Sequence, residues 1–327
     1  MQKEKKDLDQ IAAVLSEAKK IALICHVTPD GDTVGSALAL YAALKKIGKA
    51  VDVFSSDPIG EKLKYLPFSD KFNINVNHSA IYDAAVAVDC GTKGRLGDMF
   101  GIFNSAAVKI CLDHHKDNNL ICDYSYVDPQ ISSTAEIVFL LLKRFPDKCL
   151  DKNVAALIYA GIISDSGLFS YSSTTAQTHN IAAELYNAGI DASDIAYNIY
   201  KKKSKPAFLL ANKVLGRTRF FFDDRVGLAV FFLDDFAETG AGQDATEGVV
   251  NAIQSVTSVL IAVTLTEIEH NKFRVSIRSK EPAEASAVAA EFGGGGHRLA
   301  AGCRLSGPVE EVIERIVKAA GDFLPTE

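Results

Sequence analysis

Four short segments of this 327-residue chain concentrate side chains that bind metals or move protons. They are His26-Val-Thr-Pro-Asp30-Gly-Asp32, Asp89 in VAVDCG, Asp113-His114-His115 in CLDHH, and Asp165 in GIISDSG. Carboxylates mixed with imidazoles can hold two divalent ions roughly 3.5–4 Å apart, an arrangement that lowers the pKa of a bound water and clamps a phosphoryl group for in-line attack. A mixed His/Asp set suits Mn²⁺, Fe²⁺ or Zn²⁺ better than Mg²⁺, and the absence of thiolates argues against a structural zinc site. A single Asp at a strand end is often a turn or helix cap. The H-x-x-x-D-x-D segment together with a later D-H-H is not explained that way. The isolated His78, His179 and His270 read as structural residues.

A second constellation lies near the C-terminus. Gly293-Gly294-Gly295-Gly296-His297 precedes Arg298-Leu-Ala-Ala-Gly302, and Arg278-Ser279 ends the run before it. Consecutive glycines cost backbone entropy but bring a ligand close to bare amides, and the Arg fork suits phosphate.

The elements that must position these groups follow from periodicity. Residues 8–20 carry Leu8, Ile11, Ala12 and Leu15 at helical spacing, Ile21–Cys25 is a short buried strand, and a helix from Thr33 stops near Gly48. Val51–Phe54, Ala84–Val88 and Val108–Leu112 are further strands. Strands alternating with helices imply a mostly parallel sheet, with ligands bound outside the strands' carboxyl ends. Three of the four segments follow such a strand, and Asp165 follows a buried helix over 154–163. Ser133 with Glu136 fits a capping box opening another helix. A helix covers 175–188, and 191–213 is a helical connection containing KKKSK (201–205), a solvated face, with Pro206 weighing against one unbroken helix. Beyond it, 217–223, 226–233, 259–268 and 272–279 read as strands, with helices near 246–256 and 284–291 and a closing amphipathic helix over 309–323. The expectation is an α/β protein with a larger N-terminal domain (1–190, mostly parallel sheet), a linker (191–213) and a smaller C-terminal α/β domain (214–327, mixed sheet).

Composition sets outer bounds. Hydrophobic residues make up 48% and charged residues 23%, as in an ordinary globular chain. The net charge of −6 argues against a protein that grips long DNA or RNA through a basic surface. Six cysteines without a CxxC pair read as small core residues in a reducing compartment. The first ten residues carry no apolar signal stretch, and the longest apolar run falls short of the ~20 residues a membrane span needs, so a cytoplasmic protein with no membrane partner is expected.

The motifs HVTPDGD (26–32), VDCG (88–91), DHH (113–115), SDSG (164–167), RS (278–279) and GGGGHRLAAG (293–302) together resemble those of DHH family phosphoesterases with a DHHA1 domain. The two-domain size most resembles the oligoribonuclease and pAp-phosphatase members of the nanoRNase type. That resemblance implies two Mn²⁺ ions, one taking His26, Asp30 and Asp89, the other Asp32, Asp89, His114 and Asp165. It implies that His115 contacts the scissile phosphate while Asp113 supports the histidines, the two forming the catalytic pair. Arg278, Ser279, Gly294, Gly295, Gly296 and His297 would hold the nucleotide, and Arg95 would help bind phosphate. The implied activity is hydrolysis of short oligoribonucleotides to mononucleotides and removal of the 3′-phosphate of pAp. Its partners are short RNA or nucleotides, and a homodimer is compatible with the family. Cyclic or linear dinucleotide phosphodiesterase and exopolyphosphatase or pyrophosphatase chemistry are the alternatives. The GGGGH segment speaks against the pyrophosphatase branch. Ser166 stands where many members carry Thr, and Cys90 follows the motif Asp; neither removes a ligand.

Overall fold

The computed structural model describes residues 8–74, 80–246 and 248–325. The chain divides into two compact units, Met1–Lys202 and Lys203–Glu327.

The N-terminal unit contains α1 (Leu8–Glu17), β1 (Lys20–Cys25), α2 (Gly31–Lys46), β2 (Ala50–Phe54), β3 (Phe72–Asn73), β4 (Ala84–Val88), α3 (Phe100–Ser105), β5 (Val108–Asp113) and β6 (Tyr124–Val127). It continues with α4 (Thr134–Leu142), α5 (Lys152–Asp165), α6 (Ala176–Asn187) and α7 (Ala192–Ala196). Its six strands form one sheet in the order β3-β2-β1-β4-β5-β6, and every pairing is parallel. The chain runs outward from β1 through β2 to β3, then returns to lay β4 against the other side of β1. This reversal opens a crevice at the carboxyl ends of β1 and β4.

The strands are continuously apolar because both faces of the sheet are covered. Ile21, Leu23, Val86, Val88 and Ile110 share one core with α1, α2, α4 and α5. Ala22, Ile24, Ala85, Ala87 and Cys111 face the other core, filled by Leu96, Met99, Ile102 and Phe103. Small residues let α2 and α5 approach closely. A Cβ on Gly35 would lie 2.5 Å from the Leu157 carbonyl oxygen, and one on Gly161 2.6 Å from Ala135 Cβ.

The 191–213 segment is not one helix. After α7 it makes a single π turn over Tyr197–Lys201, breaks at 202–204, and restarts as α8 (Lys205–Leu215) with Pro206 in the first turn, where a proline costs least. The KKKSK run is exposed, as expected, and it spans this break, with Lys201 closing the π turn and Lys205 opening α8.

The C-terminal unit continues with β7 (Arg219–Phe221), β8 (Val226–Phe231), α9 (Leu233–Thr239), α10 (Val249–Gln254), β9 (Ile261–Glu269), β10 (Lys272–Ser279), α11 (Ala285–Ala290), β11 (Gly295–His297), β12 (Ala300–Ser306) and α12 (Val309–Asp322). Its sheet runs β11-β12-β10-β9-β8-β7 and is mixed, since β8 and β9 pair in parallel and all other neighbours are antiparallel. The last two glycines of the run, Gly295 and Gly296, begin an edge strand. Period-2 patterning cannot reveal a strand made of glycine. Among the described residues, no helix is long and apolar enough to cross a membrane.

Candidate metal centre

Each candidate ligand leaves the end of a regular element at the crevice. His26 follows β1 and is buried, its Nδ1 2.7 Å from the Val27 carbonyl oxygen. Asp30 caps α2, one carboxylate oxygen accepting from the N–H groups of Asp32 and Thr33 at 3.1 Å. Asp32, in the first turn of α2, is fully buried. It accepts from Thr134 N at 2.7 Å, Ala135 N at 2.9 Å and Ser36 Oγ at 3.2 Å. Asp89 follows β4 with φ at +58°, a left-handed conformation that costs a non-glycine residue on the order of 1–3 kcal/mol and tends to mark functional sites. Its N–H is tied to Leu112 O at 2.9 Å.

These groups converge. His26 Nε2 lies 3.4 Å from Asp89 Oδ2 and 3.6 Å from Asp30 Oδ2. His114 Nε2 lies 3.1 Å from Asp165 Oδ2, 3.5 Å from Asp89 Oδ1 and 3.9 Å from Asp32 Oδ2. The donor atoms fall into three overlapping groups, each within 4.8 Å: His26-Asp30-Asp89, Asp32-His114-Asp165 and Asp89-His114-His115. Asp89 offers one oxygen to each side.

The donor set fits divalent metal. His26 Nε2 and His114 Nε2 are buried and have no aligned hydrogen-bond partner. Among the described residues, the ion-pair partners of Asp32 and Asp89 are all histidines. The electrostatics show the same need for positive charge. Burial, reinforced by Asp89 and Asp165, pushes the Asp32 carboxyl well above the usual range. Burial also raises Asp165, to about 6, against the opposing pull of His114. Burial opposes charge on His26 and His114, yet the surrounding carboxylates outweigh it and push each imidazole up to about 10. Mixed N/O donors crowded this way are what a Mn²⁺-class ion accepts.

Asp113 and His115 are arranged differently. Asp113 is fully buried at the end of β5. One of its oxygens accepts from His115 Nδ1 at 2.6 Å, the other from Asn118 Nδ2 at 2.6 Å. Arg95 Nη1 lies 3.4 Å from His115 Nε2, and the Arg95 backbone is held by Val27 N donating to its carbonyl at 2.8 Å.

Sequence reasoning missed Thr134 and Asn118. It also read Ser133 and Glu136 as a reciprocal capping box. Ser133 does cap α4, but the Glu136 carboxylate accepts instead from Ser132 Oγ and from Thr178 Oγ1 at 2.7 Å. His179 is exposed and stacks on Phe169, and His270 is exposed. His78 and the His297 side chain lie outside the described residues.

In the C-terminal unit, Arg278 is partly buried. Ser279 is 1% exposed and its hydroxyl accepts from Ala285 N at 3.0 Å, so it serves the start of α11 rather than an open surface. Gly294 and Gly296 are required by packing. A Cβ on Gly294 would collide with the Gly302 carbonyl, and one on Gly296 would lie 2.6 Å from Ala300 O. Gly295 faces open space. The strand register aligns positions 297, 300 and 278 across β11, β12 and β10.

Comparison with known proteins agrees with this anatomy. The DHH family, N-terminal domain, matches residues 20–162, and the DHHA1 domain matches residues 225–326. The bifunctional oligoribonuclease and PAP phosphatase NrnA of Thermus thermophilus is 29% identical over 316 residues, covering 96% of this chain and 93% of its own length. The protein of the same name from Bacillus subtilis is 26% identical, covering 90% and 92%. The crystal structure of an exopolyphosphatase-related protein from Bacteroides fragilis superposes with a TM-score of 0.91 at 29% identity, covering 97% of this chain and 96% of that one. The chain thus joins a DHH family N-terminal domain to a DHHA1 domain.

Proposed function

We propose that this protein is a Mn²⁺-dependent phosphoesterase that hydrolyses short oligoribonucleotides to mononucleotides and removes the 3′-phosphate of pAp. The observation that carries this reading is Asp89, a carboxylate shared between donor groups on either side of it at the sheet's carboxyl edge. The names and near full-length coverage of the NrnA relatives support the substrate class.

His26, Asp30 and Asp89 would hold one ion, and Asp32, Asp89, His114 and Asp165 the other. Bound there, such a pair supplies a water-derived nucleophile at neutral pH and offsets phosphoryl charge. His115, whose Nδ1 is held by Asp113, would contact the scissile phosphate. Burial opposes protonation of His115, while Asp113 and Asp89 raise its pKa. Arg95, whose Nη1 lies 3.4 Å from His115 Nε2, would donate to a non-bridging phosphoryl oxygen beside it. Asp113 and Asn118 act as positioning residues, fixing the ring before substrate arrives. Arg278 and the open backbone at Gly295 are the nucleotide-binding candidates of the C-terminal unit. Neutralisation by local metal rather than a basic surface accounts for a net charge of −6 in a protein acting on nucleic acid.

The test is product analysis by chromatography with Mn²⁺ and, separately, pApA, a longer RNA, pAp, cyclic di-AMP and pyrophosphate. AMP from pApA and pAp, with little attack on pyrophosphate, is expected. Release from pyrophosphate alone would overturn the reading.

A further inference from the structure

The Asp89 carboxylate serves both sides of the site only if it holds one orientation. Its Oδ2 faces His26 at 3.4 Å, and its Oδ1 faces His114 at 3.5 Å and His115 at 3.7 Å. One neutral donor fixes that orientation. Thr134 Oγ1 donates to Asp89 Oδ1 at 2.9 Å, while the backbone N–H of the same residue donates to Asp32 Oδ2 at 2.7 Å. Thr134 is fully buried, and the residues it touches lie 102 and 45 positions away in the chain.

Its hydroxyl is not needed to start α4. Ser133 is the N-cap and satisfies Glu136 N, and Ala135 N is taken by Asp32 Oδ1 at 2.9 Å. The first turn of α4 is itself tied down, since one oxygen of the buried Glu136 carboxylate, Oε1, accepts from both Ser132 Oγ and Thr178 Oγ1 of α6. The hydroxyl is therefore carried on a rigid support and points at a group from a different strand. A donor that orients a ligating carboxylate typically changes metal affinity 10- to 100-fold when removed.

We infer that Thr134 is a positioning residue for the metal pair: its hydroxyl locks the Asp89 carboxylate so that one oxygen serves each ion. This rests on the two-ion reading proposed above. The test is Mn²⁺ titration of the full chain by calorimetry, with electron paramagnetic resonance of the loaded protein. Wild type is expected to bind two ions and give an exchange-coupled signal. Thr134→Val is expected to weaken binding of at least one ion by about 10- to 100-fold and to give an uncoupled six-line signal. Thr134→Ser, which keeps the hydroxyl, is expected to restore both affinity and coupling. Should Thr134→Val not fold, Thr134→Ala makes the same comparison. Wild-type affinity and coupling in the hydroxyl-less variant would overturn the inference, as would a Ser variant as weak as Val. Fewer than two ions in the wild type would overturn the two-ion reading, and the inference with it.

Discussion

Both units bury carboxylates, and they treat them in opposite ways. In the C-terminal unit Asp235 is 2% exposed and its charge is fully answered by the chain. Arg217 reaches it with two guanidinium nitrogens, Lys213 Nζ lies 3.1 Å away, and Phe232 N donates at 2.8 Å. In the N-terminal unit Asp32 and Asp89 are as deeply buried, yet around them stand further carboxylates and histidines. Burying charge without a compensating partner is expensive, so a folded chain keeps such a cluster only if something else supplies the countercharge. Asp235 closes a structural ion pair. The Asp32–Asp89 cluster is an open valence that a cation would complete.

The sharpest way to break this contrast is Asp89→Ala. Removing the shared ligand is expected to reduce turnover at saturating Mn²⁺ by about a thousandfold or more, several kcal/mol of barrier, while the chain stays folded. Near-normal rates would contradict the site. Metal itself provides the next test. At a hundredfold excess over its dissociation constant an ion stabilises the state that binds it by about 2.7 kcal/mol. Hydrogen exchange is expected to show that gain in β1, β4 and β5 and not in β8–β10. Equal protection in both units would erase the distinction.

Asp235→Asn tests the closed pair. It is expected to cost about 2 kcal/mol of stability, since Arg217 is only partly buried and Lys213 is exposed, and to leave the activity per folded molecule unchanged. The pH dependence has a definite sign. Burial opposes the Asp235 charge, but Arg217, the Phe232 N–H and Lys213 outweigh it and hold the carboxyl below its usual pKa. Its contribution is therefore present above the unfolded carboxylate pKa and lost as pH falls through the folded one. Acid denaturation monitored with and without the substitution checks this: the variant is expected to lose the acid-sensitive part of the curve. The smallest effects concern the edge strand. Gly295→Ala meets open space and is expected to change stability by less than about 0.5 kcal/mol while weakening nucleotide binding. Gly294→Ala, blocked by the Gly302 carbonyl, is expected to destabilise the strand instead. Calorimetric melting with KM measurements separates the two.

Much of the candidate centre's residue set was legible because its members occupy a recurring place. In a parallel sheet the strand ends are the only buried backbone positions that open onto a crevice, so polar residues directly after apolar runs stand out. His26, Asp89 and the DHH segment were found this way, and Asp30 and Asp32 through the helix that follows. The edge strand that begins at Gly295 was not legible, for a physical reason. Its strand character comes from hydrogen bonds to β12 and not from side chains, so no pattern in the run announces it. Packing, and not the neighbouring arginine, sets where the Ser279 hydroxyl points: it accepts from Ala285 N at the start of α11.

What the sequence determined by itself was the inventory: short motifs that group His and Asp side chains, and the strands and helices that deliver them. Local propensity and spacing suffice for this, because each motif lies within a few residues of the strand or helix end that presents it. Tertiary structure alone decided which groups answer each other. Thr134 meets Asp89 and Asp32 because α4 packs its first turn against the crevice, and Asp89 faces two sides because β4 lies beside β1 at the point where the strand order reverses. Such contacts join residues 45 to 103 positions apart, and their geometry depends on the packing of whole layers, which no local pattern encodes.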